Sequence, residues 1–124
     1  MMSYYGKEIV AVDDSVIILK MLNKVLSNRC TLYAFADGNR ALELLRKKAP
    51  DLIILDIDMP GMSGFDMLEM IRKTDHLKNV PVIFLTSSSD KDHVLKAVAS
   101  GANDYVVKPI DEDILLQKID GLIG

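Results

Sequence analysis

LIILDIDMPG, residues Leu52 to Gly61, is the stretch whose reading decides the fold, because an unbroken apolar run from Leu52 to Leu55 leads straight into the carboxylate of Asp56. Pro50 and Asp51 bound it in front, and Pro60 and Gly61 behind. That leaves too few residues for a helix of about ten or more, so the run reads as a strand buried on both faces. Asp56 then stands at the carboxyl end of the strand. In open parallel sheets those ends border the ligand crevice, which makes the acid a functional candidate.

Working outward, the same pattern recurs on both sides. Upstream, a short leading segment (residues 1–7) precedes EIVAV, Glu8 to Val12, a strand that ends on Asp13 and Asp14. From Ser15 to Ser27 apolar residues fall at Ile18, Met21, Leu22, Val25 and Leu26, the spacing of an amphipathic helix. Thr31 to Ala36 has strand composition. Asn39 to Lys48 reads as a second helix, its cationic end suited to the negative pole of the helix dipole and closed by Pro50. Downstream, MPGMSG is a turn, and Ser63 with Asp66 three residues on forms a capping-box start for a helix reaching about Thr74. Val80 to Leu85 is a fourth strand and delivers Thr86. A helix capped by Ser89 or Asp90 follows, ending near Ser100 and Gly101. Asp104 to Val107 is a fifth strand, delivering Lys108, and the last helix runs from Asp111 to the end of the chain.

Five strands alternating with five helices predict a doubly wound α/β fold, (βα)5, with a parallel sheet and right-handed crossovers. A chain of 124 residues, 49% hydrophobic and 27% charged, suits one domain over residues 1–124. The formal charge of -3 and pI near 5.3, with no basic run, argue against direct nucleic-acid binding. Cys30 is the only cysteine, no signal-peptide pattern opens the chain, and no apolar run approaches the ~18 residues of a membrane span. A cytoplasmic protein without membrane contact is the expectation.

The strand ends bring Asp13, Asp14, Asp56, Thr86 and Lys108 to one edge of the sheet. Three gathered carboxylates repel one another unless a hard cation neutralises them, and all-oxygen donors point to Mg²⁺ or Mn²⁺. Without a cation, neutralising Asp13 or Asp14 should stabilise the fold. A lysine opposite the acids and a threonine hydroxyl beside them complete a set able to hold a phosphoryl group on a carboxylate. Taken singly, each residue has a plainer reading: Asp13 or Asp14 as a helix cap, Lys108 as a surface cation, Tyr105 as fixed core. Their joint arrival at the strand ends favours a site. His76 and His93 have no phosphotransfer context and read as surface residues. Met59 and Met62 lie in the turn beside the site and read as plain loop residues, the other methionines as mostly core.

With these residues in place, the chain resembles the response-regulator receiver domains of two-component signalling, including the single-domain chemotaxis branch, over nearly its whole length. The resemblance rests on Asp13 and Asp14 in VDD, Asp56 in LDIDMPGMSG, Thr86 in FLTSSS, and Lys108 with Pro109 in YVVKP. It implies a flavodoxin-like sheet of order 2-1-3-4-5. It also implies that Asp56 is the phosphoacceptor and that Asp14 and Asp56 ligate Mg²⁺ with the backbone carbonyl of Asp58, Asp13 acting through water. Lys108 would pair with phosphoryl oxygens, Thr86 and Tyr105 would form a switch pair, and the bond preceding Pro109 would be cis. The partners implied are a sensor histidine kinase or phosphotransfer protein, and a homodimer mate or output domain at the face of helix four, strand five and helix five. Self-phosphorylation and self-dephosphorylation are expected, without turnover of a separate substrate.

Two alternatives use the same residues. Asp56-Ile57-Asp58 resembles the DxD of haloacid-dehalogenase phosphatases, but that motif normally follows the first strand and needs later motifs and a cap. A pseudo-receiver that binds without phosphorylation usually lacks a site residue, whereas all five are present here.

Overall fold

A computed structural model describes Tyr4, residues 6–87 and residues 91–124. Ten elements follow one another in strict alternation: β1 (Glu8–Val12), α1 (Val16–Leu26), β2 (Thr31–Phe35), α2 (Gly38–Leu45), β3 (Leu52–Asp56), α3 (Gly64–Lys73), β4 (Val82–Thr86), α4 (Lys91–Ala99), β5 (Asp104–Val107) and α5 (Glu112–Ile123). The strands form one parallel sheet in the order β2-β1-β3-β4-β5. The fold is flavodoxin-like, with β3 in the middle.

Side chains alternate across a strand, so a buried parallel strand feeds two cores at once. Val10, Val12, Ile53, Leu55, Val82 and Phe84 point to the layer formed with Leu42, Leu45, Met67, Leu68, Ile71 and Ala97 of α2, α3 and α4. Ile9, Ala11, Leu52, Ile54, Ile83 and Leu85 point to the layer formed with Leu22, Leu26, Leu115 and Ile119 of α1 and α5. Every residue of β3 and β4 is buried, which explains their continuous apolar runs. Each such aliphatic side chain contributes about 1.5–3 kcal/mol on burial.

Several boundaries differ from the sequence expectation, each for a local reason. The helix expected from Asn39 begins at Gly38 because the Asp37 side chain accepts from Asn39 N–H, and it ends at Leu45, not Lys48, since Lys47 N–H turns back to the Leu44 carbonyl. The fourth strand starts at Val82, not Val80, because Val80 N–H closes a turn on Leu77 O; it extends through Thr86. One residue of the leading segment belongs to the core. Tyr4 is 2% exposed, its N–H donates to Arg29 O at 2.9 Å, and its hydroxyl donates to Leu116 O at 3.3 Å. The proposed cap of α4 at Ser89 or Asp90 lies outside the described residues. Among the described residues, no helix is long and apolar enough to cross a membrane.

Candidate functional site

The ladder carries each polar residue to the same edge. Asp13 N–H donates to Phe35 O beyond the end of β1, Ile57 N–H to Leu85 O beyond the end of β3, and Lys108 N–H to Thr86 O at 2.7 Å beyond the end of β5. With β1 beside β3, β3 beside β4 and β4 beside β5, the sheet order gathers Asp13, Asp56, Thr86 and Lys108 at neighbouring strand ends.

Local capping leaves the acids available. Ser15 is the N-cap of α1, its hydroxyl oxygen accepting from Ile18 N–H, so neither Asp13 nor Asp14 has that role. Asp13 Oδ1 accepts instead from Ser15 N–H at 2.8 Å, which fixes the carboxylate. Asp13 is 0% exposed and Asp56 2%, whereas Asp14 is open to solvent. Sequence treats the neighbouring acids alike; the chain direction at the end of β1 sends one inward and the other out.

Lys108 Nζ stands 2.9 Å from Asp13 Oδ2 and 3.3 Å from Asp56 Oδ1. Burial alone pushes the Lys108 ammonium toward losing its proton, but the Asp13 and Asp56 carboxylates together outweigh burial and raise its pKa above the ordinary lysine value. Burial first, and the Asp13 charge second, raise the Asp56 carboxyl from 3.8 to about 6 against the opposing pull of Lys108. An acid so perturbed at a strand end has the signature of a reactive group.

Oxygens of Asp13, Asp14 and Asp56 lie within 4.8 Å of one another, a separation one divalent ion spans. Asp13 Oδ2, though ion-paired with Lys108, is buried without a hydrogen bond, and Asp56 needs charge compensation beyond what Lys108 provides. An all-carboxylate donor set with spare lone pairs fits a hard cation of the Mg²⁺ or Mn²⁺ kind. Asp58 N–H reaches Asp56 Oδ1 at 3.3 Å, so the residue after next already folds back over the acid.

Thr86 is 1% exposed and ends β4. Tyr105 pairs in register with Phe84, two residues before Thr86, so Tyr105 and Thr86 share a face of the sheet. Tyr105 is half-buried, with Lys118 Nζ 4.6 Å from its ring centre; that ammonium also donates to Asp104 Oδ1 and Tyr105 O. The Lys108-Pro109 peptide is cis. Met59 and Met62 line a groove of about 430 Å³ with Asp37 and Asn39.

The histidines stand apart from this cluster. His76 is exposed, its Nε2 2.7 Å from Leu45 O. His93 is half-buried: its ring packs edge-on against Phe65 at 5.9 Å, and Phe65 in turn against Phe84 at 5.2 Å. Nothing in the local sequence pattern signals that long-range contact.

Comparison with known proteins places this geometry. Residues 9–120 match the family described as response regulator receiver domain. The chemotaxis protein CheY of Pseudomonas aeruginosa is 38% identical over 84 residues, 68% of this chain and 68% of that protein. The transcriptional regulatory protein AfsQ1 of Streptomyces coelicolor is 43% identical over 88 residues, 71% of this chain but only 38% of that protein. Among solved structures, the chemotaxis response regulator CheY4 of Vibrio cholerae superposes with a TM-score of 0.87 at 30% identity, covering 98% of this chain and 99% of that one.

Proposed function

Because the chain belongs to the response regulator receiver domain family, we propose that Asp56 is its phosphoacceptor. The observation that carries this reading is the buried Asp56 carboxylate with the Lys108 ammonium 3.3 Å away and two further acids close by. An Asp56 oxygen attacks the phosphorus of a phosphohistidine on a sensor kinase or phosphotransfer protein, or of a small phosphodonor. The new O–P bond forms as the donor's bond to phosphorus breaks, the bonding pair staying on the imidazole nitrogen of a phosphohistidine or on the leaving oxygen of an acyl phosphate. Lys108 turns from the carboxylates to the equatorial phosphoryl oxygens, where negative charge spreads in a loose transition state. Asp14, Asp56 and the Asp58 backbone carbonyl would hold Mg²⁺ or Mn²⁺, with Asp13 behind them. Such an ion supplies charge neutralisation and orientation of the phosphoryl oxygens. Later attack of water on phosphorus releases inorganic phosphate and restores the carboxylate, so the domain acts on itself without turning over a separate substrate.

In the phosphorylated state Thr86 donates its hydroxyl to a phosphoryl oxygen and Tyr105 turns inward, a shift driven by contacts that only the modified Asp56 offers. The state is read by a homodimer mate or an output domain at α4, β5 and α5, where Leu95, Val98 and Ile114 expose 54%, 55% and 46% of their surface. The same reading makes residues 1–124 one receiver domain working in the cytoplasm, without direct nucleic-acid or membrane contact. Acetyl phosphate with Mg²⁺ should add one phosphoryl group by intact-protein mass spectrometry, and Asp56→Asn should abolish it. Labelling that persists in the variant moves the phosphoacceptor elsewhere.

A further inference from the structure

The loop that follows Asp56 is closed at its base by a single backbone bond, Gly64 N–H to Ile57 O at 2.9 Å. Gly64 is buried and opens α3 directly after the Ser63 cap. A Cβ at this position would lie 2.4 Å from the Asp56 carbonyl oxygen, 2.9 Å from Ile57 Cα and 3.1 Å from the Asp56 carbonyl carbon. These are backbone atoms at the end of β3, fastened to β4 through Ile57 N–H to Leu85 O at 3.0 Å, so none can swing aside. Gly38, which opens α2, provides a contrast: its Cβ would meet the flexible thioether of Met67 at 3.0 Å.

We infer that Gly64 is a positioning residue for phosphoryl transfer: its bare Cα lets α3 seat directly behind the Asp56-Ile57 peptide, and that seating fixes the Asp56 carboxylate against Lys108 and the other acids. The inference rests on Asp56 being the phosphoacceptor. A methyl group at Gly64 must drive α3 and the end of β3 apart by several tenths of an ångström. The contacts to Asp56 Oδ1 from Lys108 Nζ and Asp58 N–H already stand at 3.3 Å, so they break under a displacement of that size. Misplacing a reacting group by about 1 Å slows a reaction on the order of 100-fold.

The test compares Gly64→Ala with Gly101→Ala, whose φ of +101° lies in the loop before β5 at the opposite end of the sheet and whose added Cβ meets only the Arg72 side chain. Both should lose stability, the second through backbone strain alone. Rates of labelling by acetyl phosphate and Mg²⁺ affinity are measured for parent and variants, with and without trimethylamine N-oxide to restore folding. Gly64→Ala should label roughly tenfold or more slowly and bind Mg²⁺ more weakly even when fully folded. Gly101→Ala should label at about the parental rate. If labelling of Gly64→Ala equals the parent, or returns together with the fold, Gly64 serves folding only and the inference is overturned. A parent not labelled on Asp56 removes the site reading and this inference with it, whereas a labelled parent with an unimpaired Gly64→Ala removes the inference alone.

Discussion

Replacing Asp56 by asparagine should stabilise the metal-free protein, and the structure sets both the size and the pH dependence. The Asp56 carboxyl is 2% exposed, and burial plus the Asp13 charge raise its pKa from 3.8 to about 6 even with Lys108 nearby. Each pKa unit corresponds to about 1.4 kcal/mol, so ionised Asp56 costs the native state up to about 3 kcal/mol at pH 7.5. Protons shared among the crowded acids and the buried amide of the variant reduce the gain to about 1–2 kcal/mol, or roughly 4–8 °C in a domain of this size. Because the folded carboxyl binds its proton more readily than the unfolded one, the unfavourable contribution is complete above pH 6 and fades as pH falls through that value. The difference between variant and parent should therefore shrink by about half between pH 7.5 and 5, and close near pH 4. Thermal melts in EDTA at the three pH values measure it. A variant less stable than the parent at pH 7.5, or a gain that ignores pH, refutes the reasoning. Asp13→Asn removes the same repulsion from Asp56 but also the 2.9 Å ion pair with Lys108, and Asp14 is solvated, so the larger relief is expected at Asp56.

Asp14→Asn should move the metal-free midpoint less than Asp56→Asn does, yet lose most of the roughly 2.7 kcal/mol that Mg²⁺ at about 100 times its dissociation constant gives the parent; melts with and without Mg²⁺ check this. Lys108→Met should destabilise by about 3 kcal/mol in denaturant unfolding, because it strands the fully buried Asp13 carboxylate. Thr86→Ala should still accept the phosphoryl group but leave the amide NMR shifts around Tyr105 unchanged on phosphorylation. Tyr4→Phe should lose about 1 kcal/mol with its hydrogen bond to Leu116 O, and Tyr4→Ala about 3–5 kcal/mol with its ring, both by urea titration.

The sheet was legible because β3 and β4 are buried on both faces, so their sequences carry unbroken apolar runs that end on polar residues. The acids and Lys108 were legible because position at a strand end is a property of the chain itself. What the sequence could not convey is non-local. Tyr4 sits in a segment without periodicity, and its burial depends on Arg29 and Leu116 far along the chain. The inward turn of Asp13 and outward turn of Asp14 depend on backbone direction, and the fit of Gly64 against Asp56 appears only when α3 is seated. The helix end at Leu45 was missed because cationic residues at Arg46 to Lys48 favour a longer helix, while the turn through Lys47 ends it.

β5 lies at the edge of the sheet, four residues long and paired with β4 alone. Edge strands exchange their amide hydrogens through local openings that cost less than global unfolding. An opening confined to β5 would carry Lys108 away from Asp13 while β1 and β3 stayed closed, and the acids would lose their lysine for as long as it lasted. On the phosphoacceptor reading, the site therefore keeps its lysine only while β5 stays paired with β4. Lys118, which joins α5 to Asp104 and to the Tyr105 carbonyl, is the clasp of that unit. Mild denaturant should silence the site before the central strands exchange.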